Sequence, residues 1–304
     1  MKAAIVILDA ANPIGRGVAE VALDQRRAVI AVSQDLEALR DLGARFPNAD
    51  LTIVGGAIAD EVQATRLASE LRELARPIAG VVLAQCGEPS RNRVLDTPAR
   101  EFHRLLEADL LPHLSSARQL VPLLAATGRN AGYVVIGSPG SDHPWVGYGS
   151  RSIAASASTM LVRVLHEEAR SLGVRVQLLA VNRPVCTDAN REWSCEGWPE
   201  VSAIATQALA LIDQVDPHVA ALPIVPFVKS VRTATTTRTA ARTIAKARSV
   251  DASSPAVEPA ARALMSTELE RLAHRDAARQ RVLEHAAARL ETPHSSNRNE
   301  AEKQ

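Results

Sequence analysis

Ser138 lies at the end of a short stretch whose residue types are suited to chemistry. Tyr133 to Ile136 are aromatic and β-branched, which predicts a buried strand, and small residues from Gly137 onward end that strand. The carboxyl ends of strands in open parallel sheets are where such sheets usually bind ligands. Ser138 is therefore the first candidate catalytic residue.

A helix is predicted to follow this serine and to bring further polar groups near it. Apolar residues recur at three- and four-residue spacing from Ile153 to Leu165, which is typical of an amphipathic helix. Tyr148 and Arg151 come just before this pattern. A tyrosine hydroxyl can donate a proton, whereas an arginine stays charged and can only polarise a neighbouring oxygen.

This strand, serine and helix resemble the central part of the short-chain dehydrogenase/reductase superfamily. Members of that family carry a serine at such a strand tip and a Tyr-x-x-x-Lys pair at such a helix start. Counting back from the Leu-x-x-Glu stretch that ends at Glu168 puts Arg151 at the tyrosine position and Ala155 at the lysine position. Tyr148 lies three residues earlier, with Ser152 as its fourth neighbour. The resemblance therefore implies the family fold without its usual proton-transfer pair.

The order of the elements predicts the architecture. Apolar strands alternate with helical patterns, which is typical of a parallel sheet buried on both faces. Together with the resemblance, this predicts an α/β protein: a Rossmann-like, doubly wound parallel sheet with a C-terminal helical extension. The predicted parts are a Rossmann-like domain (1–228), a basic linker rich in Thr, Arg and Ala (229–255), a helical tail (256–291) and a disordered end (292–304).

The loop after the first strand takes the place of the family's Thr-Gly-x-x-x-Gly-x-Gly loop. Asp9 and Pro13 replace its first two glycines, and only Gly15 is kept. Such a loop aims backbone N–H groups and a helix N-terminus at a diphosphate, so Pro13 removes one donor and Asp9 adds a negative charge. A purely structural interpretation stays open, because Asn12 can cap the helix and proline is favoured in its first turn.

Other motif positions of the family are only partly kept. Ser33 and Gln34 at the second strand tip supply neither the acid nor the arginine that distinguishes NAD from NADP. Gly87 remains from the family's Asn-Asn-Ala-Gly, and Thr187 from its Pro-Gly-x-x-x-Thr. Asp109 replaces an asparagine, and an ionised carboxylate cannot donate a hydrogen bond as an amide does.

These comparisons define the candidate sites. The candidate catalytic residues are Ser138, Tyr148, Arg151 and Asp109. The candidate cofactor-binding residues are Asp9, Asn12, Ile14, Gly15, Ser33, Gly87 and Thr187. No metal site is predicted, and the histidines, His113 among them, are left without a role.

Two functions stay open at this point. The eroded motifs favour a non-redox or pseudoenzyme member that binds a ligand or a partner. The alternative is an atypical NAD(P)-dependent oxidoreductase acting on a carbonyl or hydroxyl substrate, with Tyr148 or Arg151 in place of the usual group. NAD or NADP is expected to bind weakly or not at all.

Composition indicates which kinds of partner and which cellular compartment are expected. The net charge is +1, from 35 basic and 34 acidic residues, so no overall field favours nucleic acid. Three cysteines without Cys-x-x-Cys spacing predict reduced thiols and a cytoplasmic location. No apolar run approaches the roughly 20 residues of a membrane span.

Two kinds of partner are expected. Members of the family that the chain resembles commonly pair through the helix that here runs from Ile153 to Arg170, and its small residues Ala154, Ala157 and Ser158 permit close packing. The resemblance therefore implies a homodimer, or a heterodimer with a related family member. The basic arm 229–250 carries six basic residues and no acidic one, which favours a tail that docks an acidic protein partner. A disordered extension without a function is the alternative that stays open.

Overall fold

One parallel sheet organises the described part of the chain, and its strands run in the order β3-β2-β1-β4-β5-β6-β7. The computed structural model describes residues 2–84, 91, 93–127, 131–214 and 222–228. The chain divides into two units, Met1–Val231 and Arg232–Gln304, and all described residues belong to the first. The predicted linker, helical tail and disordered end, together with Gly87, lie outside the described residues.

The strands and helices alternate along the chain. The strands are β1 (Ala4–Leu8), β2 (Ala28–Ser33), β3 (Leu51–Gly55), β4 (Ile78–Leu83), β5 (Gly132–Ile136), β6 (Arg175–Ala180) and β7 (Ile224–Pro226). The helices are α1 (Pro13–Asp24), α2 (Leu36–Arg45), α3 (Glu61–Glu73), α4 (Ala99–Ala125), α5 (Gly149–Arg170) and α6 (Val201–Asp213). The predicted α/β fold with a doubly wound parallel sheet is confirmed.

Two apolar cores cover the two faces of this sheet. Along β1, Ala4, Val6 and Leu8 belong to one core, and Ile5 and Ile7 to the other. This alternation explains why the strand is apolar throughout, since both of its faces are buried. The first core also includes buried residues of α3, α4 and α5, and the second includes buried residues of α1, α2 and α6.

A buried tyrosine ties α4 to the strand that carries Ser138. The hydroxyl of Tyr133 on β5 lies 2.8 Å from the Ser116 hydroxyl on α4, so its polar end is satisfied inside the core. Burial raises the pKa of Tyr133 well above its ordinary value, which keeps the phenol neutral. Helix α4 and the first part of β5 are thereby held together.

The strand order reverses between β1 and β4, and crevices at such reversals are where sheets of this kind bind ligands.

Among the described helices, none combines the length and hydropathy that crossing a membrane requires.

The start of α1 is held so close to the β1–α1 loop that only a glycine is accommodated there. A Cβ atom added to Gly15 would lie 2.3 Å from the Asp9 carbonyl oxygen. In α2, by contrast, a Cβ on Gly43 would make an ordinary contact, 3.6 Å from Ile53 Cδ1.

We expect Gly15→Ala to lower the free energy of unfolding by about 1–3 kcal/mol, because the backbone must shift to relieve the overlap. Gly43→Ala is the matched control and should raise it by about 0.5–1 kcal/mol, because alanine is the better helix residue. Denaturant unfolding of both variants checks this. A Gly15→Ala variant as stable as wild type would contradict the close packing.

Candidate functional site

The β1–α1 loop keeps the backbone path of a glycine although an aspartate occupies it. Asp9 has φ of 59°, in the left-handed region where aspartate is tolerated better than most residues. Its carboxylate accepts a hydrogen bond from Asn12 Nδ2 at 2.7 Å. The same amide group donates to the Ala84 carbonyl at 3.1 Å, which links the loop to the end of β4.

The amides at the start of α1 are satisfied within the protein. The Asn12 Oδ1 atom accepts from the N–H groups of Ile14 at 2.9 Å and Gly15 at 2.8 Å. Pro13 has no N–H, and the Arg16 N–H donates to the Asn12 carbonyl at 2.8 Å. The predicted Asn12 cap is therefore present, and the N–H groups of Ile14, Gly15 and Arg16, which could otherwise face a diphosphate, are bonded within the protein.

A cleft of about 430 Å³ opens beside this loop, at the tips of β1 and β2. Asp9, Asn12 and Ser33 line it, together with Asp35 and the segment 56–59. The Ser33 hydroxyl accepts from the Asp35 N–H at 3.2 Å, and the Asp35 side chain caps α2 through the Ala38 N–H at 3.0 Å. Sequence reasoning missed Asp35, whose position as the N-cap of α2 was the available signal.

Thr187 lies on the other side of the loop, away from this cleft. It lines a second cavity, of about 550 Å³, together with Arg16 and Glu20 of α1. Its N–H donates to Asn190 Oδ1 at 2.8 Å, and the Arg16 Nε atom donates to Glu20 at 3.2 Å. Of the candidate cofactor residues, Asp9, Asn12 and Ser33 therefore line one cavity and Thr187 lines another.

A small cavity of about 30 Å³ lies under the tip of β5 and brings three of the four candidate catalytic residues together. Ser138 contributes from the end of β5, Arg151 from α5 and Asp109 from α4. Ala155, at the family's lysine position, also lines it. The arrangement can hold and polarise an oxygen atom, but within this lining it contains no tyrosine or lysine to transfer a proton.

Tyr148, the fourth candidate, lies outside that lining. Its ring stacks on Trp145 with centroids 4.6 Å apart, and the Arg91 guanidinium lies 5.9 Å from its centroid. The turn is held by Ser152, whose hydroxyl accepts from the Trp145 N–H at 2.9 Å and donates to the Tyr148 carbonyl at 3.1 Å. Tyr148 therefore takes part in a packed turn before α5.

His113 is the functional-site residue that sequence reasoning set aside. It lines the cavity, is buried, and its Nδ1 atom has no hydrogen-bond partner among the described residues. Burial lowers the pKa of His113 to about 4, so the ring is neutral at physiological pH. The available signal was its position four residues after Asp109, which places both side chains on one face of α4.

A sequence profile of the short chain dehydrogenase family matches residues 3–196. The chain belongs to that family. The family resemblance seen in the sequence is therefore confirmed. No functionally curated protein matches the chain in a sequence comparison.

Solved structures with the same fold share little sequence with it. A short chain oxidoreductase from Pseudomonas aeruginosa, bound to NADPH and containing an atypical catalytic centre, has a TM-score of 0.66 at 19% identity, with 77% of this chain and 98% of that chain covered. A Thermococcus sibiricus alcohol dehydrogenase complexed with 5-hydroxy-NADP has a TM-score of 0.62 at 17% identity, covering 78% and 100%. A Streptomyces avermitilis short-chain dehydrogenase has a TM-score of 0.61 at 20% identity, covering 75% and 89%. At these identities the likeness shows the fold.

Burial of His113 should make the protein less stable in mild acid. Because its folded-state pKa of about 4 lies below the ordinary 6.5, the unfolded chain takes up a proton first as the pH falls. The contribution of the neutral, buried ring to the free energy of unfolding is complete above pH 6.5. About 3 kcal/mol of it is lost as the pH falls from 6.5 to about 4.

The His113→Asn variant lacks this titration, so its free energy of unfolding should fall less than that of wild type over the same range. Denaturant unfolding at several pH values measures the difference. Parallel curves for the two proteins would show that His113 does not titrate in this way.

Proposed function

We propose that this chain is a non-redox member of the short-chain dehydrogenase family that acts by binding a ligand or a partner protein. The observation that carries the proposal is the closed start of α1, where Asn12 occupies the amides of Ile14 and Gly15. A nucleotide diphosphate would have to displace this cap. The residues present therefore do not fit NAD or NADP in the arrangement described.

Charge opposes the nucleotide further. Asp9 and Asp35 both line the cleft beside the loop, and no basic side chain is among its described lining residues. A phosphate 4 Å from one carboxylate would cost about 1 kcal/mol in water and about 4 kcal/mol at an effective dielectric of 20. This corresponds to a loss of affinity of roughly fivefold to a thousandfold.

The cavity under Ser138 supports the same proposal. A positioned general acid typically contributes a factor of about 100 to 10,000 to a reaction rate. Arg151 cannot supply that proton, because an arginine guanidinium keeps its charge in proteins. With Ala155 at the lysine position, the described lining of the cavity retains groups that bind an oxygen and contains neither the tyrosine nor the lysine of the family's proton-transfer pair.

A second candidate is an atypical oxidoreductase acting on a carbonyl or hydroxyl substrate. It is favoured by the presence of Ser138 and Arg151 in one cavity, since a guanidinium and a hydroxyl together can polarise a carbonyl oxygen. The similar Pseudomonas oxidoreductase with an atypical catalytic centre also supports it, because that protein is bound to NADPH. NADPH binding separates the two candidates.

We expect calorimetric titration of the full chain with NADH and NADPH to show affinities weaker than micromolar. The double variant Asp9→Gly, Pro13→Gly should bind NADPH at least about fivefold more tightly, because it removes the charge and restores an N–H donor. Asp41→Asn, an exposed charge change on α2, is the control and should leave binding unchanged.

Sub-micromolar binding of either nucleotide by wild type would overturn the non-redox proposal and favour the oxidoreductase. If wild type binds weakly and the double variant gains nothing, the charge explanation is wrong.

We also propose that the protein forms a dimer through α5. Ile153, Met160 and Val164 follow one another at seven- and four-residue spacing on this helix, and 43%, 54% and 46% of their surfaces are exposed. An exposed apolar stripe of this kind is suited to pairing between copies of one chain or between related chains.

Met160→Arg should convert the dimer to a monomer, because it places a charge in the middle of the apolar stripe. Val62→Arg is the matched control, since Val62 is an exposed apolar residue on α3. Light scattering at several concentrations measures the mass of each. A monomeric wild type, or dissociation by both variants alike, would contradict the role of α5.

A further inference from the structure

The cavity of about 550 Å³ that Thr187 lines has the size of a small-molecule site, since such sites measure roughly 300–1,000 Å³. One wall comes from α1 and the end of α2, and the other comes from the segment 186–202, which leads into α6. The two walls meet where Gly17 packs against Val201: a Cβ atom added to Gly17 would lie 2.1 Å from Val201 Cγ1. The space is therefore a cleft between two separate parts of the chain, joined at this contact.

The first wall, called the α1 wall here, has an excess of positive charge. Its charged lining residues are Arg16, Glu20 and Arg45. The Arg16 Nε atom lies 3.2 Å from Glu20 Oε1, and the Arg45 guanidinium pairs with the same oxygen. Because one carboxylate is shared by two guanidinium groups, the α1 wall keeps one positive charge that no carboxylate of this wall balances.

The second wall, called the α6 wall, has the opposite excess. Its charged lining residues are Asp188, Arg191 and Glu200. Arg191 Nη2 lies 3.2 Å from Asp188 Oδ1, and Arg191 Nη1 lies 3.4 Å from Glu200 Oε2. Here one guanidinium is shared by two carboxylates, so the α6 wall keeps one negative charge.

The two excess charges do not meet in an ion pair. In the described part of the chain, the ion pairs of these six side chains stay within each wall, and none joins one wall to the other. Exposed charges are screened over about 8 Å at physiological ionic strength, so both excess charges act on a molecule inside the cleft. The lining also offers apolar surface from Pro13, Val21 and Val201, and hydroxyl groups from Thr187 and Ser202.

We propose that this cleft binds a small zwitterion with an apolar body, a free amino acid or a short peptide, whose carboxylate lies toward the α1 wall and whose ammonium group lies toward the α6 wall. An anion or a cation would be attracted by one wall and repelled by the other, whereas a zwitterion is attracted by both. The inference rests on the ligand-binding function proposed above and adds the class of ligand. None of the six charged residues lines the cleft beside Asp9 or the cavity under Ser138.

An NMR titration of the isotope-labelled full chain with L-leucine tests the ligand class. The comparison ligands are N-acetyl-L-leucine, which lacks the ammonium charge, and L-leucinamide, which lacks the carboxylate. We expect L-leucine to bind at least about fivefold more tightly than either, because each derivative loses one favourable charge interaction. The amide signals that shift should belong to α1 and to the segment 186–202.

Glycyl-L-leucine extends the test to a peptide. If neither L-leucine nor glycyl-L-leucine binds at about 10 mM, a concentration that would nearly fill a site with a millimolar dissociation constant, the inference is wrong. Equal binding of L-leucine and its two derivatives would also overturn it, as would signal shifts confined to other parts of the chain.

Two variants test the roles of the walls. Arg45→Gln removes the excess positive charge and should weaken L-leucine binding by about fivefold without weakening L-leucinamide binding. Asp188→Asn removes the excess negative charge and should weaken L-leucine binding similarly without weakening N-acetyl-L-leucine binding. Both side chains are exposed, so neither change should unfold the protein.

Matched controls make the same charge changes outside the lining. Arg40→Gln on α2 and Glu192→Gln in the segment 186–202 alter exposed residues and should keep wild-type affinity for L-leucine. If the controls weaken binding as much as Arg45→Gln and Asp188→Asn do, the overall field of the protein is responsible and the proposed site is wrong.

The nucleotide titrations separate this inference from the proposed function. Sub-micromolar NADPH binding together with L-leucine binding in this cleft would overturn the non-redox role and retain the zwitterion site. Weak NADPH binding without L-leucine or glycyl-L-leucine binding would overturn the zwitterion site alone.

Discussion

The hydrogen bonds of the Asn12 side chain determine which groups are available to a ligand in the crevice where the strand order reverses, between β1 and β4. Its oxygen accepts from Ile14 and Gly15, and its nitrogen donates to Asp9 and Ala84. An asparagine amide has two donors and two acceptor lone pairs, so its capacity is used completely. Any ligand that took one of these partners would have to replace the bond that it broke. In the loop that serves other sheets of this kind as an anion site, the amides of Ile14 and Gly15 are here bonded to Asn12.

The fold persists without the glycine motif because other residues maintain the same backbone path. Asp9 accepts the left-handed conformation that a glycine would adopt freely, and its carboxylate gains a partner in Asn12. Gly15 is kept where a Cβ atom would meet the Asp9 carbonyl. The sheet itself rests on apolar runs such as Ala4–Leu8, which are buried on both faces. The architecture is therefore retained although two glycine positions of the loop carry other residues.

Features that depend on local sequence patterns could be predicted, and features that depend on packing between distant elements could not. Strands such as Ala4–Leu8 and the Asn12 cap follow from local patterns, and both were predictable. His113 was not, because the sequence shows only its neighbour Asp109 on α4, whereas the other walls of its cavity come from β5, α5 and β6. The separation of Tyr148 from Ser138 depends on the path of the intervening loop, which periodicity does not define. The cavity under Ser138 forms only when four elements, α4, β5, α5 and β6, are packed together.

The two parts of the crevice favour the same kind of ligand. The cavity under Ser138 offers one arginine and one aspartate beside a neutral histidine, so its formal charges balance. The cleft at the β1 and β2 tips adds two aspartates without a basic residue in its described lining. The two surfaces together are negative, and a dinucleotide would bring further negative charge to them. An uncharged or cationic group meets no such penalty, and the hydroxyl and imidazole groups under Ser138 are suited to holding the oxygen of an uncharged one.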